Sequence, residues 1–352
     1  MSGTPARTAA DTAAATDVVC LGESMVTFLP SRPGRLADVP SFDRGIGGAE
    51  SNVACALAAA GHRAAWVSRV GADGFGDHLV ETITRYGVDT SGVRRDPSRP
   101  TGVYFRTATD RATDTHEVAY YRAGSAASAM SPDTVPRAAL PPARMLHLSG
   151  ITAALSTGCL ALLHHLTEDR PGRPAVSFDV NHRPGLWRGT DASPRVLLDL
   201  ARRADLVFVG EDEAREAWGV DGAEAVRAAL PEPSVLVVKH GADGVTVFSG
   251  TGTGPGTVTT VPALHVDVVA PVGAGDAFAA GFLSATLRGL PVRDRARHGH
   301  LMAAAVLTVP GDLTGPPARA HADALAALDD AAWGRLRLGP GWTGDDQEVR
   351  TT

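Results

Sequence analysis

The chain has 352 residues, of which 44% are hydrophobic and 20% charged, and it carries a net charge of −6 at pH 7. This size and composition fit one large α/β domain or two ordinary ones, and a negative charge without a long basic run speaks against nucleic acid and membranes as partners. The cysteines, Cys20, Cys55 and Cys159, are far apart, which speaks against a disulfide framework or zinc site and favours the reducing cytoplasm.

The two ends of the chain differ from the rest in composition. Residues 1–16 are rich in Ala and Thr and lack the apolar core of a signal peptide, so we predict a disordered N-terminal tail. Gly, Asp and Thr dominate the other end, and we predict a second, loose tail at residues 336–352. The predicted domain therefore covers residues 17–335.

Short apolar runs alternate with helical patterns along most of this domain. Predicted strands cover residues 17–21, 64–70, 145–149, 175–180, 206–209 and 235–238, and predicted helices cover residues 49–60, 78–86, 195–203 and 221–230. Repeated alternation of this kind predicts a mostly parallel sheet with helices on both faces. In such a sheet, ligands bind beyond the carboxyl ends of the strands.

Two segments interrupt the alternation with patterns typical of β-hairpins. Residues 28–42 are punctuated by Pro and Gly, and residues 101–122 alternate in strand fashion around a polar turn at residues 110–115. The first segment predicts edge strands and turns rather than a helix, and the second predicts a hairpin inserted between α/β units.

The most informative stretch is residues 272–281, VGAGDAFAAG. An apolar run at residues 264–269 predicts a strand, and the small residues after it begin a helix that should end at Gly289. Because Gly273, Ala274 and Gly275 have almost no side chains, backbone N–H groups at the start of this helix are free to bind an anion.

Asp276 lies in the first turn of the same helix. This arrangement suits phosphorylation of a hydroxyl, in which the carboxylate takes the proton while the amides stabilise the phosphoryl group. Because a helix N-terminus favours the ionised carboxylate, we expect a weak base. The alternative is a tight turn in which Asp276 only compensates the helix dipole.

Two familiar nucleotide-binding motifs do not fit this sequence. The P-loop pattern Gly-x-x-x-x-Gly-Lys-Ser/Thr does not occur, and residues 45–50, GIGGAE, lack the last glycine of the dinucleotide motif. A P-loop kinase and a dinucleotide enzyme are therefore disfavoured.

Residues 47–52, GGAESN, and residues 273–276, GAGD, together resemble the two signatures of the ribokinase-like (PfkB) carbohydrate kinases. The resemblance extends from about Val18 to Pro317. Finer matches resemble the 2-keto-3-deoxygluconate kinases within this family; they are TGVYF at residues 101–105, YYRAGSAAS at 120–128, HLSGIT at 147–152 and FDVNHRP at 178–184.

The resemblance implies a ribokinase-like three-layer α/β sandwich with a mostly parallel central sheet and a small β-sheet lid over the sugar. The lid strands would come from about residues 23–46 and 101–123. It implies ATP-dependent phosphorylation of a terminal hydroxyl of 2-keto-3-deoxygluconate, with ATP and Mg²⁺ as cofactors. A neutral sugar such as fructose is the first alternative, and a catalytically silent sugar-binding regulator is the second. Pairing of exposed lid edges implies a homodimer or larger assembly.

Site residues follow by carrying the family's roles onto matching positions. The substrate-binding set is Gly48, Asn52, Tyr104, Tyr120, Arg122, Arg183, Asp276 and Asp312. The catalytic set is Asp276 with the amides of Gly273, Ala274 and Gly275. The nucleotide-binding set is Asn181, Arg183, Lys239, Gly241, Gly244, Gly273 and Gly275, and Glu213 would contact Mg²⁺ through water.

The two arginines of the substrate set favour a sugar acid, because a guanidinium binds a carboxylate through paired hydrogen bonds. The alternatives are a solvated Arg122 at a sheet edge and an Arg183 paired with Asp179. Other members of the substrate and nucleotide sets have alternatives too: Asn52 on a helix surface, Lys239 beside an ordinary hairpin turn, and Asp312 in a turn.

Three positions depart from the family pattern. Gly210 stands where an asparagine commonly precedes Glu213, and His182 replaces a commoner tyrosine. Ala270 replaces an acidic residue that often supports a potassium site, so a requirement for a monovalent cation stays open.

Overall fold

The computed structural model describes residues 16–32, 34–107, 117–188, 194–251, 256–344 and 350–351. The strands in these ranges are β1 (Thr16–Leu21), β2 (Met25–Pro30), β3 (Phe42–Gly47), β4 (Ala64–Val67), β5 (Arg69–Gly71), β6 (Arg94–Asp96), β7 (Val103–Arg106), β8 (Val118–Tyr121), β9 (Ala143–Ser149), β10 (Ala175–Asp179), β11 (Leu206–Gly210), β12 (Val235–Lys239), β13 (Val245–Ser249), β14 (Thr257–Val261), β15 (His265–Val266), β16 (Leu336–Leu338) and β17 (Arg350–Thr351). The α-helices are α1 (Ala49–Ala59), α2 (Gly74–Arg85), α3 (Gly150–Ala153), α4 (Thr157–Thr167), α5 (Pro184–Trp187), α6 (Arg195–Arg202), α7 (Glu211–Trp218), α8 (Ala223–Ala229), α9 (Ala274–Leu287), α10 (Val292–Leu307), α11 (Arg319–Ala326) and α12 (Asp330–Arg335).

An eight-stranded sheet forms the centre of the domain, in the order β14-β13-β12-β11-β10-β9-β1-β4. The neighbours from β12 to β4 pair in parallel, and β13 and β14 are antiparallel. The predicted mostly parallel sheet is therefore confirmed. Its parallel strands bring their carboxyl ends to one edge of the sheet, where Asn181 and Arg183 follow β10 and Lys239 ends β12.

The central sheet is buried on both faces, which explains the continuous apolar runs of its strands. Along β11, Phe208 packs into one hydrophobic cluster with Phe278 and Phe282 of α9. Its neighbours Val207 and Val209 point into the opposite cluster. Two helical layers thus cover the sheet, and the three-layer sandwich is confirmed.

A second, four-stranded sheet has the order β3-β2-β7-β8, and we call it the lid sheet. Its strands come from the two segments that the sequence predicts for the lid. On one of its faces Phe28 stacks on Phe105 with ring centroids 4.7 Å apart, and Phe42 meets Phe105 edge-on at 5.2 Å. Tyr104 and Arg106 alternate with Phe105 and lie on the other face. The polar turn predicted at residues 110–115 lies outside the described residues.

The predicted loose C-terminal tail is wrong in its first part. Leu336–Leu338 forms β16, which pairs with β15, and Leu336, Leu338 and Trp342 are buried in the hydrophobic core. The apolar residues of this segment alternate with polar ones and cover the core next to α12, although Gly and Asp dominate the composition that follows. The predicted N-terminal tail lies outside the described residues except Thr16, which begins β1.

Two other predicted boundaries are also corrected. The strand predicted at residues 264–269 is reduced to His265–Val266, and the following Val268 and Val269 are exposed. Helix α2 begins earlier than predicted, because the Asp73 side chain accepts hydrogen bonds from the Phe75 and Gly76 N–H groups. Among the described residues, no helix combines the length and apolarity needed to cross a membrane.

Candidate active site

Helices α1 and α9 begin side by side, and their first turns are joined by a hydrogen bond. Asn52 Nδ2 donates to Asp276 Oδ2 over 2.8 Å. Asn52 is buried, so the helix-surface interpretation is wrong. Its Oδ1 is also buried but has no hydrogen-bond partner, which leaves one acceptor for a ligand hydroxyl.

Burial raises the pKa of Asp276 to about 7. The hydrogen bond from Asn52 and the charge of Arg183 lower this pKa, whereas the charges of Asp179 and Asp312 raise it. The expectation of an ionised, weakly basic carboxylate is therefore wrong, because removal from water outweighs the helix N-terminus. A carboxyl with a pKa near neutrality is suited to proton transfer at physiological pH.

Glycines allow three segments to approach one another around this pair. A Cβ on Gly48 would lie 2.4 Å from the Glu23 backbone oxygen, and one on Gly47 would lie 2.5 Å from Tyr104 Oη. Gly273, with φ of 79°, adopts a left-handed conformation just before α9, and a Cβ there would lie 2.5 Å from the Asp312 backbone oxygen. The spacing leaves no room for side chains at these positions.

Asp312 joins the core of the protein to the lid sheet. Its Oδ2 accepts a hydrogen bond from Tyr104 Oη at 2.9 Å, and its Oδ1 lies 2.7 Å from Arg106 Nη2. The ion pair is almost fully buried, with 3% of the Arg106 side chain and 8% of the Asp312 side chain exposed. Sequence reasoning missed Arg106, although it follows Tyr104 by two residues and so lies on the same strand face.

Arg122 pairs with another acidic core residue. Its guanidinium forms an ion pair with Glu23, which is buried and also accepts a hydrogen bond from Ser125 Oγ at 2.6 Å. The solvated interpretation of Arg122 is therefore wrong. Tyr120 is more exposed, and its ring lies 5.4 Å from the Tyr104 ring and 5.9 Å from the Arg122 guanidinium. Glu23 was not among the predicted site residues.

The carboxyl ends of β10 and β12 carry a second group of polar residues. Lys239 Nζ lies 3.1 Å from Asp179 Oδ1. It is also 4.0 Å from the position of a Cβ on Gly275, so Lys239 lies beside the first turn of α9. Because Asp179 forms its ion pair with Lys239, the alternative pairing of Arg183 with Asp179 is wrong.

Arg183 is the least engaged of the predicted cations. Over half of its side chain, 54%, is exposed, and its guanidinium lies 3.6 Å from Glu213 Oε1. Glu213 accepts the Gly210 N–H at 2.8 Å, which fixes the carboxylate at the start of α7. Burial, the largest cause, raises the pKa of Glu213.

Asn181 has a strained backbone at the end of β10. Its φ of 41° is the only positive value among the non-glycine residues that the structure describes, and such strain is characteristic of functional sites. The side chain is buried and its Oδ1 has no hydrogen-bond partner. Both ring nitrogens of the neighbouring His182 are likewise buried without hydrogen bonds.

Gly241 and Gly244 flank a single 3₁₀ turn between β12 and β13. Gly241 has no other segment within 4 Å of its Cβ position, whereas a Cβ on Gly244 would lie 2.2 Å from the Val261 backbone oxygen. Gly241 therefore borders open space, and Gly244 serves close packing. In the described part of the chain, no group of three His, Cys, Asp or Glu residues could hold a metal ion.

This geometry can be compared with known proteins. Residues 15–319 match the pfkB family of carbohydrate kinases. The chain is 36% identical to the 2-dehydro-3-deoxygluconokinase of Bacillus subtilis (strain 168), over 86% of this chain and 93% of that protein. It is 34% identical to the 2-dehydro-3-deoxygluconokinase of Thermoproteus tenax, over 88% of this chain and 93% of that protein. A probable chloroplastic fructokinase of Arabidopsis thaliana is 30% identical, over 76% and 69%.

Solved structures agree with this result. The crystal structure of a PfkB protein from Polaromonas sp. JS666 has a TM-score of 0.74 and 35% identity, covering 85% of this chain and 98% of that one. A sugar kinase from Pyrococcus horikoshii in complex with ATP has a TM-score of 0.74 and 25% identity, covering 89% and 98%. The chain belongs to the pfkB family of carbohydrate kinases, and the resemblance noted from its motifs is confirmed.

Proposed function

We propose that this kinase transfers a phosphoryl group from ATP to a terminal hydroxyl of 2-keto-3-deoxygluconate, also called 2-dehydro-3-deoxygluconate, in the cytoplasm. The single observation that carries the transfer is the partly buried Asp276, which accepts a hydrogen bond from Asn52 at the glycine turn that begins α9. Relatives named for this substrate are more similar and are covered more fully than the fructokinase. Free, buried cysteines are in keeping with a reducing compartment.

Asp276 acts as the general base in this proposal. Its carboxylate takes the proton of the acceptor hydroxyl as the sugar oxygen forms its bond to phosphorus and the bond from phosphorus to the leaving oxygen of ADP breaks. The N–H groups of Gly273, Ala274 and Gly275 face the transferred phosphoryl group, aided by the dipole of the 14-residue helix α9.

The sugar would lie between the start of α1 and the lid sheet. Gly48 allows close approach to the backbone, and the unpartnered Oδ1 of Asn52 accepts a sugar hydroxyl. Tyr104, Tyr120 and Asp312 supply further polar contacts from the lid side. In this arrangement the lid sheet would shield the acceptor hydroxyl from water during the transfer.

Arg183 and Arg122 would bind the substrate carboxylate. Within the described ranges, the exposed Arg183 guanidinium contacts the Glu213 carboxylate at 3.6 Å and the His182 carbonyl oxygen at 3.3 Å, so most of its N–H groups are available. Arg122 is more restricted because its ion pair with Glu23 fixes its orientation. A guanidinium held in this way is pre-organised for a planar carboxylate.

The nucleotide would lie along the carboxyl ends of β10 to β12. The strained Asn181 presents an unpartnered Oδ1, Lys239 reaches the first turn of α9, and Gly241 and Gly244 form the turn beside it. Mg²⁺ bound with the nucleotide would neutralise the triphosphate charge. Glu213 fits a contact through water, because the Gly210 N–H already occupies its carboxylate.

We also propose that the enzyme is a homodimer or larger assembly formed through the lid sheet. The edge strand β8 leaves Val118, Tyr120 and Tyr121 exposed, with 66% of Tyr121 accessible. Burial of such an edge against a second copy would satisfy its backbone groups and cover its aromatic side chains. Light scattering on wild-type protein and on Tyr121→Lys would test this assembly, and a wild-type monomer would contradict it.

A coupled ADP-release assay with 2-keto-3-deoxygluconate, fructose and ribose tests the function. We expect kcat/KM for the keto acid to exceed that for fructose by about 100-fold, since charged hydrogen bonds from a guanidinium to a carboxylate contribute about 1.5–3 kcal/mol that a neutral sugar lacks. Preferential turnover of fructose would establish the neutral-sugar alternative. Saturable sugar binding without turnover of any sugar would establish the regulator.

A further inference from the structure

Two side chains of the lid sheet, Tyr104 and Arg106, contact Asp312. The proposed sugar contact accounts for the presence of Tyr104 but not of Arg106. Tyr104 presents its hydroxyl to Asp312 Oδ2, and Arg106 presents Nη2 to Asp312 Oδ1 at 2.7 Å. Arg106 is 3% exposed at its side chain, which leaves it little access to a ligand. Its buried Nε has no hydrogen-bond partner. We therefore expect Arg106 to act on Asp312 and not on a ligand.

Asp312 lies where the two halves of the site meet. A Cβ on Gly47, just before α1, would lie 2.9 Å from Asp312 Oδ2, and a Cβ on Gly273, just before α9, would lie 2.5 Å from the Asp312 backbone oxygen. A shift of Asp312 would therefore disturb both helix starts. Because Arg106 fixes one of its two carboxylate oxygens, it controls where this residue sits.

Asp312 also acts on the proton acceptor through its charge. The groups that face Asp276 are Asn52 from α1, Asp179 from the end of β10, Arg183 from the start of α5 and Asp312 from the segment after α10. Lys239 lies beside the same helix turn. Among these, Asp179 and Asp312 disfavour the ionised form of Asp276, and Arg106 is the direct counter-charge of Asp312.

We propose that Arg106 is a positioning residue for phosphoryl transfer: through its ion pair with Asp312 it fixes the lid sheet over the acceptor pocket and offsets the negative charge that Asp312 exerts on Asp276. This inference rests on the proposed roles of Asp276 and Asp312. Without Arg106, Asp312 is an unpaired buried carboxylate close to the base, so Asp276 becomes harder to ionise and the acceptor hydroxyl is less well oriented.

Glu23 and Arg122 provide a matched comparison on the same lid sheet. They also form a buried ion pair between the core and a lid arginine. Neither residue is among the main charges that act on Asp276. Loss of this pair should affect substrate binding and lid stability while the ionisation of Asp276 is retained, which separates an electrostatic role from loss of any lid contact.

The test compares Arg106→Gln, Arg106→Lys, Asp312→Asn and the double variant, with Glu23→Gln as the control. For each variant, kcat, KM and the pH dependence of kcat/KM are measured with the sugar that the wild-type enzyme phosphorylates best. Arg106→Gln should lower kcat/KM about 10- to 100-fold, mainly through kcat. It should also move the acidic limb of the profile upward by roughly half a unit to one unit.

The other variants distinguish an electrostatic role of Arg106 from a purely structural one. Arg106→Lys should restore the position of the acidic limb, because it keeps the charge, but only part of the rate. The double variant should return the limb to the wild-type position or below it, since both charges are removed, and it leaves no unpaired buried carboxylate should Arg106→Gln fail to fold. Glu23→Gln should leave the limb unchanged.

An unshifted limb in Arg106→Gln, or a limb in the double variant that stays as high as in Arg106→Gln, would overturn the inference. So would independent, additive losses of activity in Arg106→Gln and Asp312→Asn. These results leave the proposed function intact, because the wild-type enzyme serves as the reference. Absence of turnover by the wild-type enzyme with any sugar would instead overturn the proposed function and this inference together.

Discussion

The sugar-facing and nucleotide-facing halves of the site differ in how completely their charges are paired. On the sugar side, Arg106 with Asp312 and Arg122 with Glu23 form ion pairs that are almost wholly buried. On the nucleotide side, Lys239 pairs with Asp179, but Gly241 borders open space. Arg183, which faces both ligands in our proposal, is largely exposed. The charged side chains on the sugar side are thus fixed by ion pairs before ligands bind. On the nucleotide side, more polar groups remain free to contact a ligand.

Because of this difference, we expect the two halves to respond differently to substitution of a charged residue. Removal of one partner from a buried ion pair costs about 3–5 kcal/mol, because the remaining charge is left without compensation. An exposed pair such as Arg183 with Glu213 contributes about 0–1 kcal/mol. Substitutions on the sugar side should therefore affect folding and catalysis together, whereas those on the nucleotide side should affect binding alone.

The largest expected effect is at Asp276, where the two halves meet. Asp276→Asn keeps the shape of the side chain but removes the proton acceptor, so kcat should fall by about 10²- to 10⁴-fold. ATP affinity, measured by calorimetry, should stay within about threefold of the wild-type value, since binding energy is additive for independent sites. A variant with near-normal kcat would show that Asp276 is not the base.

Gly47→Ala tests the close packing of the sugar side. The added Cβ would lie 2.5 Å from Tyr104 Oη and 2.9 Å from Asp312 Oδ2, so these side chains must move. We expect KM for the sugar to rise at least about tenfold and stability to fall by about 1–3 kcal/mol. KM for ATP should be unchanged. Equal increases in the two KM values would mean that the halves are not separable.

Arg183→Ala tests the carboxylate contact. Loss of a charged hydrogen-bonding partner should weaken binding of the keto acid by about 1.5–3 kcal/mol, or roughly 10- to 100-fold in kcat/KM. Fructose, which lacks the carboxylate, should lose much less. Arg188→Ala, at an exposed position near the same helix, is the matched control. An equal loss for the two sugars would contradict the clamp.

The smallest expected effect is at Gly241, on the open nucleotide side. Its φ of 58° is left-handed, and no neighbouring atom restricts a Cβ. Gly241→Ala should therefore cost only the backbone strain of about 1–2 kcal/mol, measured by thermal unfolding, and change KM for ATP only a few-fold. A rise in KM for ATP as large as the rise in KM for the sugar in Gly47→Ala would remove the distinction between the two halves.

The sequence predicted the parts of the site that depend on local chemistry. The turn at residues 273–276 was predictable, because small residues at a helix start carry a recognisable pattern. Asn52 was predicted as a site residue only through the resemblance of residues 47–52 to a family signature. Arg106 was not predicted as the partner of Asp312, since these residues are 206 positions apart and only the folded lid sheet brings them together.

The ionisation of Asp276 was predicted in the wrong direction for a similar reason. The helix N-terminus is visible in the sequence, but burial beneath the lid sheet and the nearby carboxylates depend on tertiary structure. The packed segment with Leu336 and Trp342 was also missed, because a few apolar residues within a polar composition give a weak signal. In each case the outcome depends on contacts between residues far apart in the sequence, and local sequence patterns do not reveal such contacts.

The pH dependence of kcat/KM tests the central claim most directly, because this parameter reports the ionisation of the free enzyme. With the pKa of Asp276 raised to about 7, mainly by desolvation of its carboxyl, kcat/KM should rise about tenfold per pH unit below neutrality and level off above it. This limb should be absent from the residual activity of Asp276→Asn. A wild-type profile that is flat down to about pH 5 would mean that Asp276 is ionised throughout, as for an ordinary exposed carboxylate, and would contradict the account.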